Sequence, residues 1–216
     1  SRAILDGATT VVCEDFPNET PEGVTFVQVV DSNEALAVLA SNFYDNPSEE
    51  LTLVGVTGTN GKTTVATLLF KLFNELGYTC GLISTVENHI GSKIVPSTHT
   101  TPDAIQLNAL LQKMVAAGCS HVFMEVSSHA IDQFRIKGCK YKVVAFTNLS
   151  QDHLDYHKTM QAYFEAKAAL FTSEYAQKAV INIDDAYGEK LSNQTQLPVI
   201  SVSRKKSSAD WYFEKA

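Results

Sequence analysis

The amino-acid sequence predicts an α/β fold in which a mostly parallel sheet carries helices on both faces. From residue 49 onward, short apolar runs alternate with amphipathic helical stretches, which is the pattern of βαβ units. The run Leu51–Val56 is apolar apart from Thr52, as expected for a strand buried on both faces of a sheet. Gly77 and Gly118 follow two helical stretches, at positions where a glycine commonly ends a helix.

Residues 1–47 predict a separate, partial α/β domain. Its first residues resemble the end of a helix, and a later helix capped by Asp31 or Ser32 is expected to run to about Tyr44. The predicted strands are Thr9–Cys13 and Thr25–Val30. The apolar positions of the later helix are Leu36, Leu39, Ala40 and Phe43. This unit has too little apolar surface to be stable alone, so we expect a remnant of a larger domain, followed by a linker at 45–48.

Residues 48–216 form the second predicted domain, which we expect to be incomplete at its C-terminal end. The helix after Gly61 is expected to bury one apolar face made of Val65, Leu68, Leu69, Leu72, Phe73 and Leu76. The other predicted elements are the strands Cys80–Thr85, His121–Val126, Lys142–Thr147, Ala179–Ile183 and Pro198–Val202 and the helices Asp103–Ala117 and Met160–Phe171. The tail after Arg204 ends in aromatic residues with nothing to pack against, so the chain is expected to be a fragment of a longer protein.

Composition narrows the classes of function. The net charge of −7 argues against non-specific binding to nucleic acid or to anionic membranes. No apolar run approaches the ~20 residues of a membrane span, and the N-terminus lacks a signal-peptide pattern. The four cysteines have the spacing of neither a zinc site nor a disulfide framework. We therefore expect reduced thiols in a cytoplasmic protein.

The most informative motif is the glycine-rich turn Gly58-Thr59-Asn60-Gly61-Lys62-Thr63-Thr64, which joins the first strand of this domain to a helix. Free backbone N–H groups and the helix dipole make such a helix start a binding site for phosphates. Lys62 can reach the terminal phosphates of a nucleotide, and the Thr63 hydroxyl can hold Mg²⁺. We predict that residues 58–64 bind ATP; an ordinary glycine-rich turn is the alternative.

This turn departs from the usual phosphate loop, because Val56 stands where that pattern has a glycine. A second feature supports nucleotide chemistry all the same. Glu125 lies at the end of the strand predicted at His121–Val126, and a carboxylate there can hold Mg²⁺ directly or through water. The alternative for Glu125 is a surface or capping residue.

A second polar cluster covers residues 147–157, directly after the strand predicted at Lys142–Thr147. Within it, His153 can ligate a second metal or bind a phosphate oxygen, although a loop histidine is more often a surface residue. His157 is expected to be a capping or surface residue. Lys167 lies on a predicted helix, where periodicity alone indicates a solvated lysine.

Other polar residues fall at strand ends or helix starts, in the runs 84–88 and 98–103 and after Glu125. The candidate binding residues among them are Thr100, Thr101, Ser127, Gln133 and Arg135. Arg135 can pair with a carboxylate or phosphate, and the others can hydrogen-bond amides and hydroxyls. Together they predict a large polar ligand across the sheet edge. A nucleophilic pair of Ser127 and His129 is not expected, since their spacing does not predict its geometry.

These motifs resemble those of the Mur ligases. The resemblance rests, in chain order, on Gly55–Thr64, Thr100-Thr101-Pro102, Met124–His129, Gln133-x-Arg135 and Asn148–Asp155. Related ligases and folylpolyglutamate synthases share the loop, but not the Glu-Val-Ser-Ser-His run that begins at Glu125. The closest resemblance is to the branch of the family that adds the third amino acid of the cell-wall peptide.

The resemblance implies a three-domain, monomeric ATP-dependent ligase, of which residues 1–47 belong to the UDP-binding domain and 48–216 to the ATP-binding domain. It implies that Thr63 and Glu125 serve one Mg²⁺, and that His153 and a carbamylated Lys167 hold a second. The residues that would contact the UDP-MurNAc-dipeptide are Thr100, Thr101, Ser127, Gln133 and Arg135. The amino-acid substrate is a diamino acid or lysine, and the chain alone is expected to be inactive because the domain that selects this amino acid is missing.

The predicted reaction follows from these parts. Phosphoryl transfer from ATP makes an acyl phosphate, and an amino group then displaces phosphate to form an amide. Lys62 and two Mg²⁺ ions would neutralise the charge on the phosphoryl oxygens. The alternatives are another amide ligase such as a folylpolyglutamate synthase, a regulatory NTPase without ligase chemistry, and a structural domain with a vestigial loop. A solvent-facing Lys167 far from the loop would favour the regulatory NTPase.

Overall fold

The computed structural model describes residues 2–97 and 99–213; Thr98, part of one predicted polar run, and the tail residues 214–216 lie outside the described residues. The strands are β1 (Thr10–Cys13), β2 (Thr25–Gln28), β3 (Thr52–Thr57), β4 (Cys80–Ile83), β5 (Glu87–Ile90), β6 (Lys93–Pro96), β7 (His121–Glu125), β8 (Val143–Phe146), β9 (Ala179–Asn182), β10 (Val199–Ser203) and β11 (Trp211–Tyr212). The helices are α1 (Arg2–Leu5), α2 (Ser32–Phe43), α3 (Lys62–Glu75), α4 (Ala104–Ala116), α5 (Ser128–Asp132), α6 (Leu154–His157), α7 (Met160–Ala168) and α8 (Ala186–Gln194).

The larger sheet has the strand order β11-β10-β9-β8-β3-β7-β4-β5-β6. All neighbouring pairs from β11 to β4 are parallel, whereas β5 and β6 are antiparallel to their neighbours. The prediction of a mostly parallel sheet is therefore confirmed. Because β3 lies between β7 and β8, the loops that follow these three strands meet at one edge of the sheet.

Helices cover both faces of this sheet, as predicted. Along β7, Val122 and Met124 join the large apolar cluster that includes Leu107 of α4. The residue between them, Phe123, joins a second cluster with the buried Ala66 of α3. Successive side chains of a strand point to opposite faces, so the two clusters are the two sides of one sheet. None of the helices among the described residues is long and apolar enough to span a membrane.

The predicted buried face of α3 is partly wrong. Leu68, Leu72 and Leu76 are 60%, 53% and 63% exposed, while Ala66 is fully buried and Phe70 packs beside it. This helix has apolar residues around much of its circumference, so periodicity does not decide which side meets the sheet. The contacts with β4 and β7 select the side that carries Ala66.

Several short elements were not predicted. The antiparallel β5–β6 hairpin, which turns at Gly91 with φ +58°, covers the edge of the sheet beside β4. Its strands have four residues each and carry polar side chains, so the alternation of apolar and polar residues that indicates a strand is weak. Helix α8 is largely polar, although Asp185, which caps its first turn through Tyr187 and Gly188, was a recognisable start signal. Helices α5 and α6 and strand β11 were also missed, although the aromatic side chains of the tail are exposed as expected.

The N-terminal unit contains a two-stranded parallel sheet of β1 and β2 and the helix α2, which Asp31 caps as predicted. Its predicted apolar positions Leu36, Leu39 and Phe43 are exposed. Ala40 and Ala37 instead pack against Ala104, the first residue of α4. An ion pair of 2.7 Å between Lys137 and Glu34 also joins this unit to the rest of the chain. All four cysteines are free, as predicted; Cys13 alone of them is not buried.

Candidate active site

The glycine-rich turn lies between β3 and α3, as predicted. Gly58 has φ +143°, and a Cβ atom built there would lie 2.0 Å from the Thr147 hydroxyl, so only glycine fits. Gly61 is the N-cap of α3, with φ +87° and no side-chain cap. The first N–H groups of α3 therefore lack a side-chain acceptor at the N-cap, which suits a phosphate. Thr64 lies in this first turn with its side chain exposed.

The loop after β8 holds the turn in place. Asn148 exchanges two hydrogen bonds with the Asn60 backbone, accepting from N–H at 3.1 Å and donating to the carbonyl at 3.0 Å. The Thr59 hydroxyl donates to the Ser150 carbonyl at 3.2 Å and accepts from the Ser150 N–H at 3.0 Å. These bonds join the two motifs that the sequence placed after neighbouring strands.

Lys62 and Lys167 both lie against the turn. Lys62 Nζ donates to the carbonyls of Gly58 and Thr59 at 3.0 and 2.8 Å, and burial lowers its pKa, an effect that Glu125 opposes. Lys167, which is 1% exposed, donates to the same Gly58 carbonyl at 2.9 Å. Its Nζ also lies 4.6 Å from the centre of the Tyr163 ring. The interpretation of Lys167 as a solvated lysine, which periodicity alone indicated, is therefore wrong.

The pKa of Lys167 falls from 10.5 to about 7, chiefly because the amine is buried and secondarily because Lys62 repels its charge. Asp152 opposes this shift. At neutral pH, a large fraction of the protein molecules therefore carries Lys167 as a neutral amine. A neutral amine is a nucleophile, which a solvated lysine at this pH is not.

Glu125 ends β7 beside the start of α3, with an exposed fraction of 1%. Its Oε2 accepts from the Thr63 hydroxyl at 2.9 Å, and its carboxylate also accepts from the Thr85 N–H at 2.8 Å and the Thr85 hydroxyl at 3.2 Å. Buried carboxylates are normally paired with a cation or a metal ion. Within the described residues Glu125 forms no ion pair. The surface alternative for this residue is excluded by its burial.

The predicted substrate residues form one connected group. The Thr101 hydroxyl donates to the Glu125 carbonyl at 2.9 Å and accepts from the Ser127 N–H at 3.1 Å. Arg135 donates to the Thr101 carbonyl at 3.1 Å and twice to the Gln133 side-chain oxygen, at 3.0 and 2.6 Å. Thr100 is linked to this group through Thr85, with the two hydroxyl oxygens 3.1 Å apart.

His153 lies in a cluster of aromatic rings. It is 45% exposed, and its ring centre is 5.0 Å from that of His129 and 6.0 Å from that of Tyr163. Since Tyr163 also lies under Lys167, both predicted ligands of a second metal border the same tyrosine. Ser127 uses its hydroxyl to cap α5 through Ala130, which agrees with the rejection of a nucleophilic pair with His129.

The prediction for His157 is wrong. It is 7% exposed, and its Nε2 is 2.9 Å from the Ser128 hydroxyl. Burial lowers its pKa, and the neighbouring His129 adds to this effect. His157 packs between α5 and α7, so its role is to join these two elements under the ring cluster.

The donor atoms of the site fit Mg²⁺ in one place and partly in another. The Thr63 hydroxyl and Glu125 carboxylate offer the hard oxygen atoms that Mg²⁺ prefers. His153 and unmodified Lys167 offer nitrogen atoms. Because Mg²⁺ prefers oxygen ligands, the second site needs a carbamylated Lys167. In the described part of the chain, no group of three or more His, Cys, Asp and Glu residues could hold a metal by itself.

Comparison with known proteins identifies the family of the chain. A family model described as the Mur ligase middle domain matches residues 56–216. The chain belongs to the Mur ligase family. A protein of Cytophaga hutchinsonii named UDP-N-acetylmuramoyl-L-alanyl-D-glutamate--2,6-diaminopimelate ligase is 54% identical over 202 residues, 93% of this chain and 42% of that protein. A protein of the same name from Bacteroides fragilis is 50% identical over the same shares. This Mur ligase chain thus spans about two fifths of the length of these relatives.

Solved structures of Mur ligases share its fold. A structure of a UDP-N-acetylmuramoyl-L-alanyl-D-glutamate--2,6-diaminopimelate ligase matches with a TM-score of 0.85 and 31% identity, over 99% of this chain and 44% of that one. The MurF ligase of Thermotoga maritima in complex with ADP gives a TM-score of 0.58 at 19% identity, over 94% of this chain and 43% of that one. The second likeness is one of fold alone.

Sequence reasoning missed two residues that contact the predicted site. Thr85 was part of a polar run without a role, and its contacts with Glu125 arise because β4 and β7 are neighbours. Tyr163, whose hydroxyl lies 3.3 Å from that of Thr59, was treated as an ordinary helix residue. The hydroxyl of a buried tyrosine normally forms a hydrogen bond, but the sequence does not show which residue is its partner.

Proposed function

We propose that the protein containing this chain is an ATP-dependent amide ligase. It joins meso-diaminopimelate or L-lysine to the D-glutamyl carboxylate of UDP-MurNAc-L-Ala-D-Glu, in the synthesis of a peptidoglycan precursor. The names of the relatives support the reaction. The observation that carries it is Lys167, buried against the Gly58 carbonyl, because a regulatory NTPase needs no buried amine beside its phosphate loop.

In this proposal, residues 58–64 bind the triphosphate of ATP. Lys62 leaves the carbonyls of Gly58 and Thr59 and contacts the terminal phosphates instead. Arg135 and its neighbours Thr100, Thr101, Ser127 and Gln133 bind the UDP-MurNAc-dipeptide and hold its carboxylate near the γ-phosphoryl group. These substrates place the reaction in the cytoplasm, and we infer a monomer, because one chain carries both sets of residues.

Thr63 and Glu125 would hold one Mg²⁺, and His153 and a carbamylated Lys167 a second. When bound, Mg²⁺ neutralises charge on the phosphoryl oxygens. Carbamylation joins the neutral amine of Lys167 to CO₂, forms an N–C bond and releases one proton. The pKa of about 7 makes this amine available at neutral pH, and the product supplies the oxygen ligand that lysine lacks.

The reaction then has two steps. The substrate carboxylate attacks the γ-phosphorus of ATP, which gives an acyl phosphate and ADP. The amino group of the incoming amino acid attacks the acyl carbon, and phosphate leaves as the amide forms. The first step replaces an oxide leaving group by phosphate, which makes displacement feasible at neutral pH.

The test measures ADP release by the intact protein with ATP, Mg²⁺, UDP-MurNAc-dipeptide and each amino acid. Sustained ADP release should require both the dipeptide and the amino acid, because the acyl phosphate is consumed only by the amino group, and ¹⁸O from the dipeptide carboxylate should appear in phosphate. Glu125→Gln should lower the rate by at least about 100-fold, because it removes a charged ligand, while the exposed Glu165→Gln should not. Turnover that needs no acceptor would support a regulatory NTPase, and turnover with a folate would support a folylpolyglutamate synthase.

A further inference from the structure

Thr85 holds both oxygens of the buried Glu125 carboxylate. It follows β4 and is exposed, yet its backbone N–H donates to Oε1 at 2.8 Å and its hydroxyl donates to Oε2 at 3.2 Å. The Thr63 hydroxyl also donates to Oε2, at 2.9 Å. Glu125 is therefore fixed between the phosphate loop on one side and Thr85 on the other.

The same hydroxyl group contacts the predicted substrate side of the site. The hydroxyl oxygens of Thr85 and Thr100 are 3.1 Å apart. A hydroxyl carries one proton, and an ionised carboxylate only accepts. The Thr85 hydroxyl is the donor in both contacts, to Thr100 and to Glu125, so its single proton cannot fully serve both at once. Thr100 and Glu125 thus compete for the proton of the Thr85 hydroxyl.

This competition links Glu125 to whatever binds Thr100. Because the Thr100 oxygen accepts from Thr85, the Thr100 hydroxyl can donate its own proton to a ligand. A ligand group that accepts from Thr100 makes the Thr100 oxygen a stronger acceptor, since linked hydrogen bonds polarise one another. The Thr85 proton is then drawn towards Thr100, and the hydrogen bond from Thr85 to Glu125 weakens.

We propose that Thr85 is a positioning residue that orients Glu125 for the metal and couples the nucleotide to the acceptor substrate through Thr100. The inference rests on the proposed function for the identity of that acceptor. Hydrogen bonds behind a metal ligand fix its orientation, and their removal typically weakens metal binding by about 10- to 100-fold.

The experiment compares Thr85→Val, which keeps the shape and the backbone N–H but removes the hydroxyl, with Thr85→Ser, which keeps the hydroxyl. Thr172→Val is the matched control, since it removes an exposed hydroxyl that donates to the Ala169 carbonyl. The intact protein is titrated with Mg²⁺ at saturating β,γ-methylene ATP, with and without UDP-MurNAc-dipeptide, and binding is measured by calorimetry. The KM for Mg²⁺ and kcat are measured in parallel.

We expect Thr85→Val to weaken Mg²⁺-dependent nucleotide binding by about tenfold and to abolish the effect of the dipeptide on it. Thr85→Ser and Thr172→Val should remain within about twofold of the wild type. The inference is overturned if Thr85→Val binds like the wild type, if the serine and valine variants are equally impaired, or if the dipeptide has no effect on the wild type. Because binding is measured without turnover, failure of the ligase reaction remains a separate result.

Discussion

The Nζ atoms of Lys62 and Lys167 both donate to the Gly58 carbonyl, at 3.0 and 2.9 Å. Two like charges on one acceptor repel each other, and this repulsion adds to burial in lowering the pKa of Lys167. A carbamate on Lys167 would reverse the sign of its charge and turn the repulsion into attraction. Whether Lys167 is protonated, neutral or carbamylated therefore sets the charge beside the glycine-rich turn.

Lys167 makes the stability of the chain depend on pH. Folded Lys167 loses its proton near pH 7, whereas the unfolded chain keeps it to about 10.5, so the unfolded state binds more protons between these values. The free energy of unfolding should rise with pH in this window, by up to about 1.4 kcal/mol per unit. Lys167→Met should make this rise smaller, because the contribution of Lys167 is lost.

Urea unfolding between about pH 6 and 9 in CO₂-free buffer measures the slope, since CO₂ would modify the amine. The exposed Lys178→Met is the control and should keep the wild-type slope. Equal slopes for the wild type and Lys167→Met would contradict the assignment.

The two glycines of the turn should respond differently to alanine. At Gly61 a Cβ atom has open space, so Gly61→Ala should cost only the strain of φ +87°, about 1 to 2 kcal/mol. At Gly58 the same atom meets the Thr147 hydroxyl at 2.0 Å and the Asn148 carbonyl at 2.9 Å. Gly58→Ala should therefore cost more and displace the loop after β8.

Denaturant unfolding and calorimetric binding of ADP test this difference. Gly58→Ala should show the larger loss in both measurements, because Asn148 also holds Asn60. Similar losses for the two variants would mean that the loop after β8 moves aside without cost.

Arg135 should act on the acceptor substrate and leave ATP unaffected. Its guanidinium group donates to Gln133 through two nitrogens and to Thr101 through a third. Lysine keeps the charge but cannot reproduce this planar arrangement. Arg135→Lys should raise the KM for the UDP-MurNAc-dipeptide about tenfold, as for the loss of one charge-assisted hydrogen bond, with the KM for ATP unchanged.

Steady-state kinetics with each substrate varied in turn provide the measurement. Arg204→Lys, at an exposed arginine, is the matched control and should change neither constant. A parallel rise in the KM for ATP would show that Arg135 supports the whole site instead of the acceptor alone.

Local spacing was enough to predict the glycine-rich turn between β3 and α3, because the glycines that form it act through the adjoining backbone. The sequence also predicted the position of Glu125. A residue at the carboxyl end of a parallel strand lies at the same edge of the sheet as the ends of the neighbouring strands. Local spacing could not place Lys167, which periodicity assigned to solvent, because the burial of that side chain comes from the loop between β3 and α3. His157 was misjudged for the same reason, as its partner Ser128 lies in another element.

By itself, the order of apolar runs, glycines and polar motifs determined that this chain is a mostly parallel α/β domain with a glycine-rich turn between a strand and a helix, since these signals act within a few residues. Which side of α3 is buried, which hydroxyls meet Glu125 and how acidic Lys167 is were decided only in three dimensions. Those properties depend on the order of strands in the sheet, which brings residues far apart in the chain to a common edge and removes water from between them.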